Sequence, residues 1–276
     1  MSAPSAPERR FTVTRDGAVA TVGVAGPGGK PVMDEAFFDE LGATFAELDA
    51  DEDVRAIVVT GAGQHFSFGL DLASAGRSFA ALRAENNAGP RKEFLASIRR
   101  WQAAFDVLAG TRTPTVAAVT GWCIGGGVDL AVACDVRVAS SDAVFSVREA
   151  KVGIVADLGS LQRLVGVIGD GHLRELALTG DDISAERAAE IGLVNHVHPS
   201  PEEARAAAAE LAGRMAANSP LVLQGIKDVL DAERGPRVEA GLRYTAVWNA
   251  AFLLSDDLDE AMAAFAEQRA PQFTGR

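Results

Sequence analysis

The segment Pro114-Thr-Val-Ala-Ala-Val-Thr-Gly121-Trp-Cys-Ile-Gly125-Gly-Gly-Val-Asp129-Leu-Ala-Val-Ala-Cys-Asp135 decides the fold. Its first part, Thr115 to Thr120, is a short unbroken run of β-branched and small residues, the pattern of a strand covered on both faces. A glycine turn follows, then a short helix from about Val128 to Cys134. Glycine at Gly125, Gly126 and Gly127 frees the backbone for unusual dihedrals and lets a ligand approach closely. The N–H of Gly126 falls at the start of the helix, where unpaired N–H groups and the dipole favour negative charge.

The same unit recurs on either side. Ala56-Ile-Val-Val-Thr60 reads as a buried strand, followed by the turn Gly61-Ala-Gly63 and the stretch Phe66-Ser-Phe-Gly69-Leu70-Asp71-Leu72. Val136 to Ala139 is a further strand. Repeated strand–turn–helix units with similar glycine turns predict an α/β fold of stacked β-β-α turns rather than one doubly wound sheet. Upstream, alternation from Phe11 to Val24 around Asp16-Gly17 predicts a hairpin. After the turn Pro27 to Lys30, Asp34 caps a helix carrying Phe37, Phe38, Leu41, Phe45 and Leu48 at helical spacing. Helices are expected over Arg91–Leu108, Leu158–Val167 and Leu173–Leu178, and a strand over Leu193–Val197.

After Pro199 no strand is expected. Ser200-Pro201-Glu202-Glu203 is a capping box with proline at the first helical position, Ser219-Pro220 opens a second helix, and Ser255 caps a third. Their apolar positions Leu242, Val247, Phe252, Met262 and Phe265 call for a surface to cover them, as in an oligomer. The expected organisation is a disordered N-terminus at 1–8, a core at 9–199 and a helical oligomerisation region at 200–276.

Composition excludes several functions. The chain has 276 residues, 48% hydrophobic and 23% charged, enough for a large core and ordinary for a globular enzyme. The longest apolar tract, Val116 to Cys134, is broken by glycines and by Asp129, so no membrane span is expected. A net charge of -12 argues against a nucleic-acid surface. Cys123 and Cys134 read as small buried hydrophobes in a reducing, cytoplasmic setting, and residues 1–8 lack a secretory pattern. His196-Val-His198 has no third ligand nearby, so no metal is expected. Gly61-Ala-Gly63-Gln-His-Phe66 has Phe where a dinucleotide fingerprint needs its third glycine.

Two glycine turns converging on one point would make an oxyanion hole, although each alone also reads as a plain tight turn. Asp129, Glu149 and Asp157 form a set of acids around them. Each has a structural alternative: Asp129 as a first-turn acid, Asp157 as the N-cap of a helix beginning at Leu158, Glu149 paired with Arg148 or Lys151. Together, in the apolar context Val152-Gly-Ile-Val-Ala156, they fit carboxylates with raised pKa values suited to general acid–base chemistry.

At these residues the sequence resembles the crotonase (enoyl-CoA hydratase/isomerase) superfamily, from about Arg9 to Phe273. The resemblance implies a crotonase-like spiral with a C-terminal trimerisation region, forming trimers or hexamers. It implies backbone N–H donors at Leu70 and Gly126 for the thioester oxygen, and CoA contacts at Lys30, Phe68 and Asp71. No cofactor is expected, since CoA arrives with the acyl substrate. Asp129, Glu149 and Asp157 together look like the dienoyl-CoA isomerase branch, which converts a 3,5-diene into a 2,4-diene. Hydratases in the family carry Glu, Glu and Gly at these positions. The implied roles are Asp157 as base at the α-carbon, Glu149 as acid at the distal carbon, and Asp129 as the group that tunes Glu149. The alternatives are an enoyl-CoA hydratase of fatty acid degradation using Asp129 and Glu149, and a CoA-binding protein without turnover. The family's Arg-Asn-Ala-(Met/Leu)-Asn loop is replaced by Lys30-Pro31-Val32-Met33-Asp34, and the final helix lacks the lysines some relatives place near adenine.

Overall fold

A computed structural model describes residues 9–85 and 87–276; the disordered N-terminus expected at 1–8 lies outside the described residues. β1 (Phe11–Asp16) and β2 (Val19–Val24) form the hairpin, with Gly17 in the left-handed region at φ +56°. The core continues through β3 (Val32–Met33), α1 (Glu35–Ala50), β4 (Ala56–Gly61), β5 (Gly69–Leu70), α2 (Leu72–Glu85) and α3 (Ala88–Ala109). Next come β6 (Thr115–Val119), β7 (Trp122–Ile124), α4 (Gly126–Ala133), β8 (Val136–Ser140) and β9 (Val144–Ser146). A 3-10 turn (Glu149–Val152) leads to α5 (Ser160–Arg163), α6 (Val165–Thr179), β10 (Asp182–Ser184), α7 (Ala185–Glu190) and β11 (His196–His198). The rest is helical: α8 (Pro201–Ala216), α9 (Pro220–Phe252) and α10 (Asp256–Glu267).

The large sheet runs β1-β2-β4-β6-β8-β11, parallel throughout after the hairpin. A second sheet joins β7 to β9 in parallel and β9 to β10 antiparallel, and Ser67 bridges to Cys123 beside it. Each turn of the spiral therefore supplies a long strand (β4, β6, β8), a short segment in the second layer (Ser67, β7, β9) and a helix. This is the stacked β-β-α architecture.

Both faces of the central strands β4 and β6 are covered, which is why every residue of the two is buried. Ala56, Val58, Val116, Ala118 and Val138 face α8, which answers with Ala204, Ala208, Ala212 and Ala216 at four-residue spacing. The alternate residues Ile57, Val59, Ala117 and Val119 face the main core with Phe37, Phe45 and Phe105. Beyond 199 the regular elements are all helices, but α8 is a wall of the core.

α2 occupies Leu72–Glu85, with Phe79 edge-on to Phe94 at 5.9 Å and Arg83 paired to Asp256 and Asp259 at the start of α10. Two local expectations differ from the structure. The helix expected from Leu158 begins at Ser160, because Gly159 sits at φ +132°. The last strand is His196–His198. Leu193 and Val194 are buried in a turn, where the Leu193 carbonyl accepts from Arg137 Nε at 2.7 Å.

Candidate active site

The two glycine turns are laced together by backbone hydrogen bonds. Ser67 N–H donates to the Trp122 carbonyl at 3.0 Å, and Ile124 N–H donates to the Ser67 carbonyl at 3.0 Å. Around Leu70 the neighbouring donors are spent within the fold. Phe68 N–H goes to the Pro31 carbonyl at 2.9 Å, Gly69 N–H to Ser67 Oγ at 3.1 Å and Asp71 N–H to the Met33 carbonyl at 2.9 Å. Gly126 is the first residue of α4, whose first-turn N–H groups have no acceptor within the helix.

Close approach demands glycine here. Gly69 lies at φ +74°, and a methyl group on it would sit 2.7 Å from the Ile124 carbonyl oxygen and 3.1 Å from the Gly126 nitrogen. A methyl on Gly126 would meet Met33 Sδ at 2.7 Å, and one on Gly127 would meet the Ser67 carbonyl oxygen at 2.9 Å. The structure thus brings the backbone at Leu70 and Gly126 side by side.

The three acids come from separate segments and lie close enough to feel one another's charge. Asp129, on α4, is buried, and one of its carboxylate oxygens accepts the N–H of Ser160. It therefore caps α5 from across the fold, the job sequence reasoning offered to Asp157. Glu149 opens the 3-10 turn and lies over Gly125, where an added methyl would come 3.3 Å from its Oε1. Its Oε2 is buried without a hydrogen-bond partner. Neither suggested surface partner takes it: Arg148 pairs with Asp182 and Lys151 with Asp181. Asp157 is half-buried, and its Oδ2 accepts from Asn249 Nδ2 at 2.7 Å.

Burial disfavours the charged form of all three. It pushes the Asp157 carboxyl up to about 7, against the lowering effect of the Asn249 hydrogen bond, with the Asp129 charge adding to the rise. Glu149 is raised well above its ordinary value by burial first, then by the charges of Asp129 and Asp157. Asp129 is raised by burial, offset by its bonds to Ser160 and by the charge of Arg163. Like charges this close titrate as a unit.

A cavity of about 430 Å³ adjoins Leu70, walled by Met33, Phe38, Phe79, Phe94 and Trp101. Of the expected CoA contacts, Lys30 is exposed and one residue from Pro31, whose carbonyl accepts from Phe68. The Phe68 ring is edge-on to His65 at 5.0 Å. The Asp71 side chain caps α2, accepting from the N–H groups of Ala73 at 3.1 Å and Ser74 at 3.3 Å.

Two buried amides that sequence reasoning missed hold Asp157: Asn249 at its carboxylate, and Gln102, whose Nε2 donates to the Asp157 carbonyl at 2.7 Å. The available signal for Asn249 was a polar residue in the stripe Leu242, Thr245, Ala246, Asn249, which is otherwise built for burial.

A sequence model described as "Enoyl-CoA hydratase/isomerase" matches residues 14–276. The chain is 41% identical over 241 residues to "Delta(3,5)-Delta(2,4)-dienoyl-CoA isomerase, mitochondrial" of Dictyostelium discoideum, covering 87% of this chain and 82% of that one. It is 42% identical over 238 residues to the peroxisomal protein of the same name from Arabidopsis thaliana, covering 86% of each. Among solved structures, an enoyl-CoA hydratase from Mycobacterium avium subsp. paratuberculosis K-10 superimposes with a TM-score of 0.82 at 25% identity, over 97% of this chain and all of that one.

Proposed function

Since the chain belongs to the enoyl-CoA hydratase/isomerase family, we propose that it converts a 3,5-dienoyl-CoA into a 2,4-dienoyl-CoA by acid–base catalysis. The observation that carries this reading is the third carboxyl group, Asp157, which accepts from Asn249 and lies within electrostatic reach of Asp129 and Glu149 rather than capping its helix. A hydratase arranges two carboxylates around one water; a 1,5-proton shift needs two transfer groups set apart.

In the proposed reaction, the N–H groups of Leu70 and Gly126 hold the thioester oxygen. Asp157 removes a proton from C2, and the electron pair spreads over the carbonyl oxygen, C2, C4 and C6. Glu149 delivers a proton to C6, leaving double bonds at C2 and C4. Asp129 keeps Glu149 protonated through its neighbouring charge. CoA enters as part of the substrate, with Lys30, Phe68 and Asp71 as its contacts, and no further cofactor takes part. The buried, unpaired thiols Cys123 and Cys134 suit a reducing, cytoplasmic setting. Among the described residues, no helix is long and apolar enough to cross a membrane.

Purified protein given a 3,5-dienoyl-CoA should generate the ultraviolet band of the 2,4-isomer. Water addition to crotonyl-CoA, assayed in parallel, should be far slower; the opposite ranking would return the enzyme to the hydratase reading. The pH profile is a second check. The base must be ionised, so kcat/KM should rise through about pH 7, where Asp157 titrates. The acid must be protonated, so the rate should fall again at alkaline pH as Glu149 ionises from its raised pKa. A profile that climbs without a descending limb would remove Glu149 from the acid role.

Self-association is part of the same reading. Leu242 turns out to be buried within the subunit, whereas Val247, Trp248 and Phe252 on α9 and Phe265 on α10 are exposed. Together with Leu221, Ile226 and Val229 they leave exposed apolar side chains along α9 and α10, which we take as the surface for a second copy of the chain. Light scattering should give three or six times the chain mass; a monomer at micromolar concentration would contradict it.

A further inference from the structure

We propose that Asn249, on the C-terminal helix α9, is the positioning residue that orients the Asp157 carboxylate and keeps it ionised. The inference deepens the functional reading above and rests on Asp157 being the base.

Both N–H bonds of the Asn249 amide have acceptors. Nδ2 donates to the Val155 carbonyl at 2.8 Å and to Asp157 Oδ2 at 2.7 Å. The Val155 carbonyl can only accept, so the amide cannot flip without losing that bond, and the donor is held towards the carboxylate. Asn249 is 1% exposed, so water does not replace it. The backbone of Asp157 is fixed independently by Gln102, whose Nε2 also donates to the Leu242 carbonyl of α9 at 3.0 Å. Asp157 is thereby gripped at its main chain and at its carboxylate, both times with α9 as the anchor.

The charged groups around Asp157 make this donor matter. Asp129 on α4 and Glu149 on the 3-10 turn both oppose its ionisation, and Arg163 on α5 acts mainly through Asp129. Asn249 is the side chain that favours the charged form by direct hydrogen bonding. Removing it should leave Asp157 present but mostly protonated at neutral pH, while the thioester contacts are untouched.

The test compares wild type with Asn249→Leu, which keeps the volume, and Asn249→Ala, which avoids crowding. Thr245→Val, one turn away on the same buried stripe, is the structural control. In both Asn249 variants the acid limb of kcat/KM should move up by about one pH unit, the size of one charge-assisted hydrogen bond. At pH 7 kcat should fall about fivefold, recovering as pH rises, with KM nearly unchanged. Thr245→Val should not move the limb.

A direct readout needs no turnover. The protonated-carboxyl infrared band that Asp157→Asn abolishes should titrate at higher pH in the Asn249 variants. Should that band titrate at the same pH as in wild type, in whichever variant folds, the inference is overturned. If the band shifts as expected but wild type does not isomerise dienes, the linkage stands and the proposed function fails.

Discussion

Asp157→Asn is expected to lower diene isomerisation by about 10³-fold, the middle of the range for losing a general acid–base group. The substitution keeps shape and leaves an oxygen able to accept from Asn249, so the loop should stay in place. What disappears is the group proposed to take a proton from C2. Glu149→Gln should be comparably inactive for the overall reaction, but for a different reason. With Asp157 intact, that variant can still ionise C2 and exchange its protons with deuterated solvent, whereas Asp157→Asn cannot. Following the ultraviolet band and the C2 deuterium content in the two variants assigns the two ends of the transfer. Exchange persisting in Asp157→Asn, or isomerisation within tenfold of wild type, would take the base role away from this residue.

A single methyl group at Gly69 should be nearly as damaging. In Gly69→Ala the new carbon would have to share space with the Ile124 carbonyl oxygen, 2.7 Å away, in a backbone conformation at φ +74° that L-residues rarely adopt. The neighbours are main chain and cannot swing aside, so Leu70 and Gly126 must move apart. Losing the geometry of one oxyanion donor costs about 10²–10³ in kcat, and a lowered melting temperature should accompany it. Gly63→Ala is the contrast: it belongs to the preceding turn, an added methyl there meets nothing within 4 Å, and both rate and melting temperature should stay near wild type. Full activity in Gly69→Ala would mean that the thioester oxygen is held elsewhere.

The parts of this fold that could be read from sequence are those where one residue type has few physical options. Val58 and Val116 sit in short apolar runs because both sheet faces are covered there, and that pattern located β4 and β6. Gly69 and Gly125 mark left-handed backbone, which located the turns. The acids stood out as polar residues in apolar surroundings. Apolarity reports burial, however, not dihedral angle. Leu193 and Val194 are as buried as a strand would make them, yet the pairing with β8 begins only at His196. The helix α2 carries Leu72, Ala75, Phe79 and Leu82 at helical spacing, a signal diluted by Arg77, Ser74 and Ser78 between them. Asn249 and Gln102 were out of reach, because a buried amide is recognisable only by its partners, and those are 92 and 55 positions away along the chain.

The 33 residues of α9 make a rod about 50 Å long. One side of it grips Asp157 through Asn249, and the other presents Val247, Trp248 and Phe252 outward within a turn of that contact. In the assembly proposed above, a second copy docking on those rings would bear on the same helix that carries Asn249. The proposed assembly and the proposed proton transfer would then share a mechanical element, and turnover would be set in part by who sits beside the enzyme.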